Sequence, residues 1–439
     1  MSLSLIGLIA DDLTGAMDAG MQLLSRRLAI HTALTVDDVE AVMAGADVVV
    51  ANTQSRNIDP HAAYRQVRTA LDKLAAGGCR AWYKKIDSTL RGNIGAELKA
   101  VLDSGVFDLV ITAPALPYNK RTTINGIHYV DGVELAEIEL AKDPFAPIAY
   151  SEIGSIIKTQ FEGEVGHLPL DTVRRGSGAL AAKAKEYLAA GIKVLTADAE
   201  TERDLRQIAS AAGVLPCRVL LCGSAGLFRY LDEAYSLANP RGEGEKPKVD
   251  REPYAPPEGA PVLVLSGSPA QMSKRQIQYL EDRRPDTVVV AADIAAVPEG
   301  EAAAKTMEVI STVIGHLRAG KNVALDAAGT SKEAILSQTR GKREQLDRFS
   351  STVQTLLRDA AAAAAAQVPL AALVLFGGDT AVAVLKQLGG QGIAIVKEME
   401  PYIPLGRLIG GAYAGLLVVT KAGGFGSEDS LLRILETRG

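Results

Sequence analysis

Short apolar segments that end in a polar or glycine-rich turn and lead into a helical pattern recur along this 439-residue chain. Residues 5–10 form a continuous apolar run, which is the pattern of a strand covered on both faces. Comparable segments follow at 46–51, 107–112, 261–265 and 373–376. Strands that alternate with helices form parallel sheets with helices on both faces. The sequence therefore predicts an α/β protein built from three-layer α/β/α domains with mostly parallel sheets.

A proline-rich stretch at 237–260 interrupts this alternation. Its prolines are interleaved with glycine and with charges of both signs, a composition typical of an exposed linker between domains. We expect an N-terminal domain at 1–236, a linker at 237–260 and a C-terminal domain at 261–439. The active site is predicted in the cleft between the two domains, because ligands of open α/β sheets bind at the carboxyl ends of strands.

Composition excludes several classes of protein. The formal net charge of −5 and the lack of a basic tract give no electrostatic reason to expect a nucleic-acid partner. The three cysteines have no zinc-ligand spacing and resemble small buried residues of a reducing compartment. No cationic leader precedes the first strand, and no apolar run reaches about 18 residues. We therefore expect a cytoplasmic protein that does not contact a membrane.

Polar side chains follow the first two predicted strands of the N-terminal half. Asp11 and Asp12 come directly after residues 5–10, and Arg56 lies in the polar loop after 46–51. Paired carboxylates at a strand end can act as general base, hydroxyl acceptor or Mg²⁺ partner, whereas one aspartate alone often caps a helix. Arginine presents a planar fork that suits carboxylate recognition, although a single arginine is more often a surface residue.

The richest polar segment lies at 84–93, which is predicted as a turn between a strand at 81–83 and a helix from Gly92. It brings together two lysines, Asp87, two hydroxyl groups and Arg91. Cationic side chains beside a helix N-terminus suit a small anion, so we expect an anion site here rather than a solvated loop. His128 could serve as a base, but a lone histidine in a predicted hairpin is more often structural.

Glycine-rich turns follow strands in the C-terminal half at 377–380 and 421–427, and a third polar turn lies at 266–268. Such turns present unobstructed backbone N–H groups to phosphate oxygens. Neither glycine turn has the spacing of a Walker A loop or of the dinucleotide fingerprint. The pattern predicts a nucleotide pocket.

These motifs together resemble the four-carbon acid sugar kinases. The matching segments are IADDLTGA at 9–16, KIDSTLRGN at 85–93, APA at 113–115, LSGS at 265–268, FGGDT at 376–380 and TKAGGFG at 420–426. The resemblance implies an ATP-dependent kinase that phosphorylates the terminal (C4) hydroxyl of a four-carbon sugar acid. The KIDSTLRG form is more similar to D-threonate and D-erythronate kinases than to 3-oxo-tetronate kinases, and D-threonate is the favoured substrate.

The resemblance also implies site residues. Substrate contacts are expected from an aspartate of the pair Asp11 and Asp12 and, within the other substrate motifs, from Arg56, Lys85, Ile86, Asp87 and Ser88. ATP contacts are expected from Ser266, Gly377, Gly378, Asp379, Thr380, Gly423 and Gly424. The implied cofactors are ATP and Mg²⁺, with the metal ligands left open.

A four-carbon sugar acid has a carboxylate at one end and a primary hydroxyl at the other. Lys85, Arg56 and Arg91 are candidates to hold the carboxylate, and Ser88, Asp87 and Asn93 are candidates for the middle hydroxyls. The expected catalytic base is Asp11 or Asp12, with Asp87 as the alternative.

Two other classes of function stay open at this point. A dehydrogenase would need a glycine fingerprint with an acidic residue about 20 positions on, which the chain lacks. A non-catalytic acid-sugar-binding protein would leave the two adjacent aspartates unexplained. The expected partners are a small acid sugar and ATP, with a homodimer as a further possibility.

Overall fold

The computed structural model describes residues 5–142, 147–235, 254–292, 301–327 and 343–437. The chain divides into two compact units, Met1–Pro247 and Lys248–Gly439. Most of the predicted linker, residues 237–253, lies outside the described residues, so its conformation stays a prediction. No helix in the described ranges is both long enough and apolar enough to cross a membrane.

The N-terminal unit contains a sheet in which every pair of neighbouring strands is parallel. Its strands are β1 (Leu5–Ala10), β2 (Ile30–Ala33), β3 (Val48–Asn52), β4 (Cys79–Lys85), β5 (Leu109–Ala113), β9 (Val165–Leu168), β10 (Val194–Ala197) and β11 (Val219–Gly223). Across the described residues of this unit they lie in the order β2-β3-β1-β4-β11-β5-β10-β9.

Helices and short turns connect these strands. The α-helices are α1 (Leu13–Met21), α2 (Val39–Val42), α3 (Pro60–Ala76), α4 (Ile94–Asp103), α5 (Ile153–Lys158), α6 (Leu170–Arg174), α7 (Ser177–Ala189), α8 (Glu202–Val214), α9 (Ala225–Phe228) and α10 (Leu231–Tyr235). The apolar runs seen in the sequence form the core of this unit, since β3 and β5 are buried along their whole length.

The strand register brings the polar turns to one edge of the sheet. Ala10, the last residue of β1, is paired with Asn52 of β3 on one side and with Lys85 of β4 on the other. Because parallel strands share a direction, the residues after these three positions emerge together. Asp11 therefore lies between the loop that contains Arg56 and the loop that contains Asp87.

A small antiparallel sheet accompanies the parallel one in this unit. Strands β6 (Arg121–Ile124), β7 (Ile127–Val130) and β8 (Val133–Glu134) are joined by tight turns at Gly126 and Gly132, both with positive φ. This confirms the hairpin predicted around His128. In the segment before this hairpin, Pro117–Asn119 forms a 3₁₀ turn. Proline is compatible with the first position of such a turn because its φ is already helical.

The strands of the C-terminal unit are β12 (Val262–Ser266), β13 (Thr287–Ala291), β14 (Asn322–Asp326), β15 (Ala372–Phe376), β16 (Gly392–Glu400), β17 (Ile403–Ile409) and β18 (Leu417–Lys421). Over the described residues they lie side by side in the order β13-β14-β12-β15-β18-β17-β16. Its α-helices are α11 (Gln271–Arg283), α12 (Ala302–Arg318), α13 (Arg343–Gln367), α14 (Gly378–Gln387) and α15 (Ser430–Glu436).

Five of these strands are parallel, whereas β17 is antiparallel to both β16 and β18. Only two residues separate β16 from β17, and a connection this short can join only antiparallel strands. The second of them, Tyr402, has φ +68°. The mostly parallel α/β class predicted from the sequence is confirmed in both units.

Two boundaries differ from the sequence prediction in ways that matter for the site. Strand β4 runs through Lys84 and Lys85, which were predicted to lie in the turn. Helix α14 begins at Gly378, so Asp379 and Thr380 lie in its first turn. The first difference arises because β1 and β11 continue the backbone ladder as far as Lys85, past the point where the apolar pattern ends.

Candidate functional site

Arg56 joins the two adjacent aspartates of the N-terminal unit. Its Nε and Nη2 donate to the two carboxylate oxygens of Asp11, at 2.8 and 2.9 Å. Its Nη1 and Nη2 donate to the two oxygens of Asp12, at 2.8 and 2.7 Å. Four of the five N–H groups of the guanidinium are therefore used within the protein. Arg56 is a bridge that fixes both carboxylates and has little capacity left for an anionic ligand.

The two aspartates have different environments. Burial favours the neutral form of Asp11, but Arg56, Lys84 and Lys85 outweigh it and hold the pKa of Asp11 below its ordinary value. Burial raises the pKa of Asp12 above its ordinary value, because Asp11 adds repulsion and the attraction of Arg56 does not offset both effects. The Asp12 side chain is also the more accessible, at 19% against 2% for Asp11. Asp12 is therefore the better proton acceptor of the pair.

Asp12 has a local structural function as well. Its Oδ1 accepts a hydrogen bond from the backbone N–H of Gly15 at 2.8 Å, which caps helix α1. The capping interpretation considered for the sequence is thus correct for one of the two aspartates. A side chain at position 15 would bring its Cβ within 2.6 Å of Asp12 Oδ1 and 2.9 Å of Lys85 Nζ, so any larger residue there would displace these two groups.

Lys85 is a buried cation with unused hydrogen-bonding capacity. Its side chain leaves β4 beside Gly15, and the residue is 4% exposed. Its Nζ donates to the carbonyl oxygen of Ile86 at 3.0 Å. Within the described parts of the chain it has no carboxylate within ion-pair distance, so up to two N–H groups are available to an anion.

Asp87 anchors the loop after β4. Its Oδ2 accepts from Thr89 Oγ1 and from Arg91 Nε, each at 2.5 Å. Burial opposes ionisation, but Arg56 and Arg91 together hold the pKa of Asp87 far below its ordinary value. Asp87 is consequently a fixed anion and a weak base. The terminal amino groups of Arg91 have no hydrogen bond to any described residue, and the Arg91 side chain is partly exposed.

Asn93 and His128 connect the loops of this region. Asn93 donates to the carbonyl oxygens of Ser55 and Ile58, both at 2.7 Å, and accepts from Gln160 Nε2 at 2.9 Å. Both N–H groups of the Asn93 amide are thus bonded within the protein. Asn93 therefore has no donor left for a sugar hydroxyl, the role suggested by the sequence. His128 Nε2 lies 2.9 Å from the carbonyl oxygen of Ser88.

The environment of His128 indicates a structural role rather than a catalytic one. Burial lowers its pKa to about 4, so the imidazole is neutral at pH 7. Its second ring nitrogen contacts Thr123 Oγ1 at 3.1 Å. Of the remaining substrate residues suggested by the sequence, Ile86 is buried and donates its backbone N–H to the carbonyl oxygen of Gly223, and Ser88 is half-buried.

A second buried ion pair lies on the opposite face of β4, and sequence reasoning missed it. Lys84 Nζ is 2.6 Å from Glu97 Oε2 and donates to the carbonyl oxygen of Lys85 at 2.9 Å. Ser55 Oγ donates to the other oxygen of Glu97 at 2.5 Å. The available signals were a lysine inside a buried strand and a glutamate on the apolar side of the next helix, each of which needs a partner when buried.

The glycine turns of the C-terminal unit follow neighbouring strands β15 and β18. Gly377 has φ +102°, a conformation that favours glycine, and its N–H donates to the carbonyl oxygen of Lys421 at 2.9 Å. The next residue, Gly378, begins α14, so the first amides of this helix face the same edge as the turn. These are the features of a phosphate site.

The second glycine turn packs against the turn after β12. A Cβ at Gly423 would overlap with Ser268 Oγ, so only glycine permits this contact, whereas Gly424 has open space around its Cα. Ser273 Oγ of α11 donates to the carbonyl oxygen of Gly423 at 2.9 Å. The hydroxyl of Ser266, at the end of β12, is buried and has no hydrogen-bond partner among the described residues. It is thus available to a ligand at this edge.

The fold is that of a protein with two α/β units, one with polar loops and a buried lysine at its strand ends and one with glycine turns at its strand ends. Family models match the two units separately. Residues 6–231 match the sugar-binding N-terminal domain, and residues 263–431 match the nucleotide-binding C-terminal domain.

Three relatives span nearly the full chain. A D-threonate kinase of Salmonella typhimurium is 34% identical, with 96% of each chain covered. A D-erythronate kinase of Heliobacterium modesticaldum is 30% identical over 98% of this chain and 95% of its own. A 3-oxo-tetronate kinase of Cupriavidus necator is 30% identical over 97% and 95%. This protein belongs to the family of four-carbon acid sugar kinases.

A solved structure supports the fold assignment. A Salmonella typhimurium protein, labelled a tRNA synthase, is 25% identical and superposes with a TM-score of 0.77 over 98% of both chains. The resemblance to this kinase family that the motifs indicated is confirmed by the relatives.

Proposed function

We propose that this protein is an ATP-dependent kinase that transfers a phosphoryl group to the terminal hydroxyl of D-threonate. The observation that carries the proposal is the buried Lys85 ammonium with unused donors, placed beside the Asp12 carboxylate in the sugar-binding unit. A four-carbon acid presents an anion and a hydroxyl a few ångströms apart, and these two side chains complement those groups. D-threonate is preferred over D-erythronate and 3-oxo-tetronate because the most similar of the three relatives described above acts on it by name.

Lys85 holds the substrate carboxylate in this proposal, with the free amino groups of Arg91 as a second contact. Arg56, a candidate for this role from the sequence, instead binds both aspartates and orients them. Its contribution is to keep Asp11 ionised and Asp12 in place. Ser88, which is half-buried and follows Asp87 in the same loop, is the candidate partner for a middle hydroxyl, whereas Asn93 positions the loops.

Asp12 accepts the proton of the terminal hydroxyl as the phosphoryl group is transferred. Phosphoryl transfer depends mainly on positioning and on neutralising charge, so one oriented carboxylate is sufficient as a base. Asp11 and Asp87 are less suited, because cations hold the pKa of each below its ordinary value.

ATP occupies the glycine turns of the nucleotide-binding unit. The amides of Gly378, Asp379 and Thr380 at the start of α14 face the phosphates, and the turn at Gly423 and Gly424 leaves room beside Ser266. When bound, Mg²⁺ neutralises phosphate charge. The described residues contain no cluster of three or more metal-ligating side chains, which fits an ion carried mainly by phosphate oxygens and water. Asp326 Oδ1 is a buried carboxylate oxygen without a described partner that could add one ligand.

A panel assay tests this function directly. Purified protein is incubated with ATP, Mg²⁺ and one acid at a time: D-threonate, L-threonate, D-erythronate or 3-oxo-tetronate. We expect ADP release with D-threonate above all others, and a phosphorus-coupled NMR signal on C4 of the product. Absence of turnover with every acid would overturn the kinase proposal. Preference for another acid would overturn the assignment of D-threonate as the substrate.

Replacing Lys85 with methionine should raise KM for the sugar acid with a smaller effect on kcat. The lost contact is a charged hydrogen bond present in both ground and transition states, worth about 1.5–3 kcal/mol, or roughly 10- to 150-fold in KM. Steady-state kinetics with D-threonate measures both constants. Lys183→Met, which alters an exposed lysine paired with Glu186 on α7, is the matched control. A Lys85→Met enzyme that loses mainly kcat would contradict this role.

Replacing Gly378 with valine should weaken ATP binding by about 10- to 100-fold while leaving sugar-acid binding intact. Valine can adopt the helical backbone at the start of α14, but its branched side chain blocks the approach of phosphate to the amides. Calorimetric titration with ATP and with D-threonate separates the two effects. Gly315→Val, at a helical glycine with open space in α12, controls for the general cost of the substitution. Unchanged ATP affinity would refute the pocket.

A further inference from the structure

Lys421, the last residue of β18, is a buried lysine that the proposed mechanism does not yet use. The residue is 1% exposed. Its Nζ lies 4.1 Å from the centroid of the Phe376 ring and donates one long hydrogen bond, 3.4 Å, to the carbonyl oxygen of Gly423. No carboxylate of the described residues lies within ion-pair distance of it. A buried ammonium in such surroundings is costly unless an anion accompanies it.

The position of Lys421 connects the two glycine turns. Its carbonyl oxygen accepts the N–H of Gly377, which precedes α14, and its side chain contacts Gly423 in the second turn. The paired residue across the ladder is Phe376, which leads directly into Gly377. The ammonium is thus fixed beside the backbone amides assigned above to phosphate.

We propose that Lys421 binds an oxygen of the β- or γ-phosphate of the nucleotide and supplies positive charge to this site. The inference rests on the proposed function, because it takes the glycine turns as the ATP site. A lysine acts as a compact point charge for phosphate, and three donors on a rotatable ammonium suit oxygens that move during transfer.

The binding of phosphate should be coupled to protonation. Burial lowers the pKa of Lys421 to about 7 in the free protein, and no charged group of the described residues contributes to that shift. Charged side chains on the surrounding elements include the ion pair of Lys274 with Asp326, the pair of Arg275 with Glu428, Asp379 in the first turn of α14, Arg407 on β17 and Asp429 after the second turn. A bound phosphate stabilises the ammonium and raises its pKa. ATP binding above pH 7 should therefore take up protons, and ATP affinity should fall as the pH rises from 7 to 9.

Calorimetry of the full-length protein with ATP, ADP and AMP tests the proposal. Lys421→Met should bind ATP about 10- to 100-fold more weakly than the unmodified protein and bind AMP equally well. The ADP titration distinguishes the two phosphates: a matching loss indicates the β-phosphate, and no loss indicates the γ-phosphate. Lys305→Met, at an exposed lysine of α12, should change none of these affinities. Equal losses for ATP and AMP, or no loss for ATP, would overturn the proposal.

Two further measurements keep the inference independent of one variant. Proton uptake by the unmodified protein, from ATP titrations at pH 8 in buffers of different ionisation enthalpy, should exceed that of Lys421→Met. Equal uptake would contradict the role of Lys421.

The Tm of Lys421→Met without ligand should match or exceed that of the unmodified protein, since the change removes an unpaired buried charge. A large decrease in Tm would indicate a structural role instead. Kinase turnover with unimpaired ATP binding by Lys421→Met would refute this inference alone, whereas ATP binding without turnover on any sugar acid would refute only the proposed reaction.

Discussion

Replacing Asp12 with asparagine is expected to lower kcat by about 10²–10⁴-fold and to leave KM for D-threonate nearly unchanged. The amide cannot accept the hydroxyl proton, and that function is exercised only in the transition state. The substitution is otherwise mild, because asparagine keeps the size of the side chain and can still accept the N–H of Gly15 that caps α1. Stopped assays of ADP release at saturating substrate measure the loss.

Two controls accompany this variant. Asp72→Asn, at an exposed carboxylate of α3 that pairs with Arg68, should leave both constants unchanged.

The pH profile of the unmodified enzyme should show kcat/KM falling on the acid side, because Asp12 must be ionised to accept a proton and its pKa is raised above the ordinary value. Near-normal turnover by Asp12→Asn would show that the base has been assigned wrongly.

Lys84→Met should destabilise the protein by about 3–5 kcal/mol, because it leaves the buried Glu97 carboxylate without its cation. Chemical denaturation followed by fluorescence measures the free energy of unfolding. The double variant Lys84→Met with Glu97→Gln should recover part of the loss, since it removes both charges. Lys99→Met, which breaks an exposed pair of the same 2.6 Å length on α4, should cost less than about 1 kcal/mol.

The cost of Lys84→Met should also depend on pH. Burial raises the pKa of Glu97 above its ordinary value even when Lys84 is present, and loss of the lysine raises it further. A carboxyl with a raised pKa in the folded state favours the folded state less as the pH rises, from its unfolded pKa up to its folded pKa. The deficit relative to the unmodified protein should therefore be smaller at pH 5 than at pH 8. A pH-independent deficit would show that Glu97 is not the group left unpaired.

Local patterns were sufficient to predict the class of fold and the positions of the polar turns. The apolar runs that form β1 and β3 can be recognised without knowing their neighbours, because consecutive apolar residues predict a buried strand. Asp11, Arg56 and the glycine turn at 377 were predicted at strand ends for the same reason. The motifs then indicated the kinase family, which the relatives confirm.

The pairing of those side chains was not available from the sequence. Arg56 was expected to hold the substrate, but the register of β1 with β3 places it against Asp11 and Asp12, which use four of its five donors. Lys84 and Glu97 went unnoticed, because a strand alternates its side chains between faces and only the packed helix shows which face holds a partner.

The sequence by itself thus determined which segments become strands, which turns carry charge or glycine, and the chemistry those turns can offer. The tertiary structure alone decided which charges neutralise each other and which stay available. Lys85 keeps free donors and Lys421 lacks a carboxylate among the described residues, whereas Lys84 and Arg56 are paired. Hydrophobic periodicity is a local property of the chain, but electrostatic compensation depends on distances between residues far apart in sequence, which only the folded register sets.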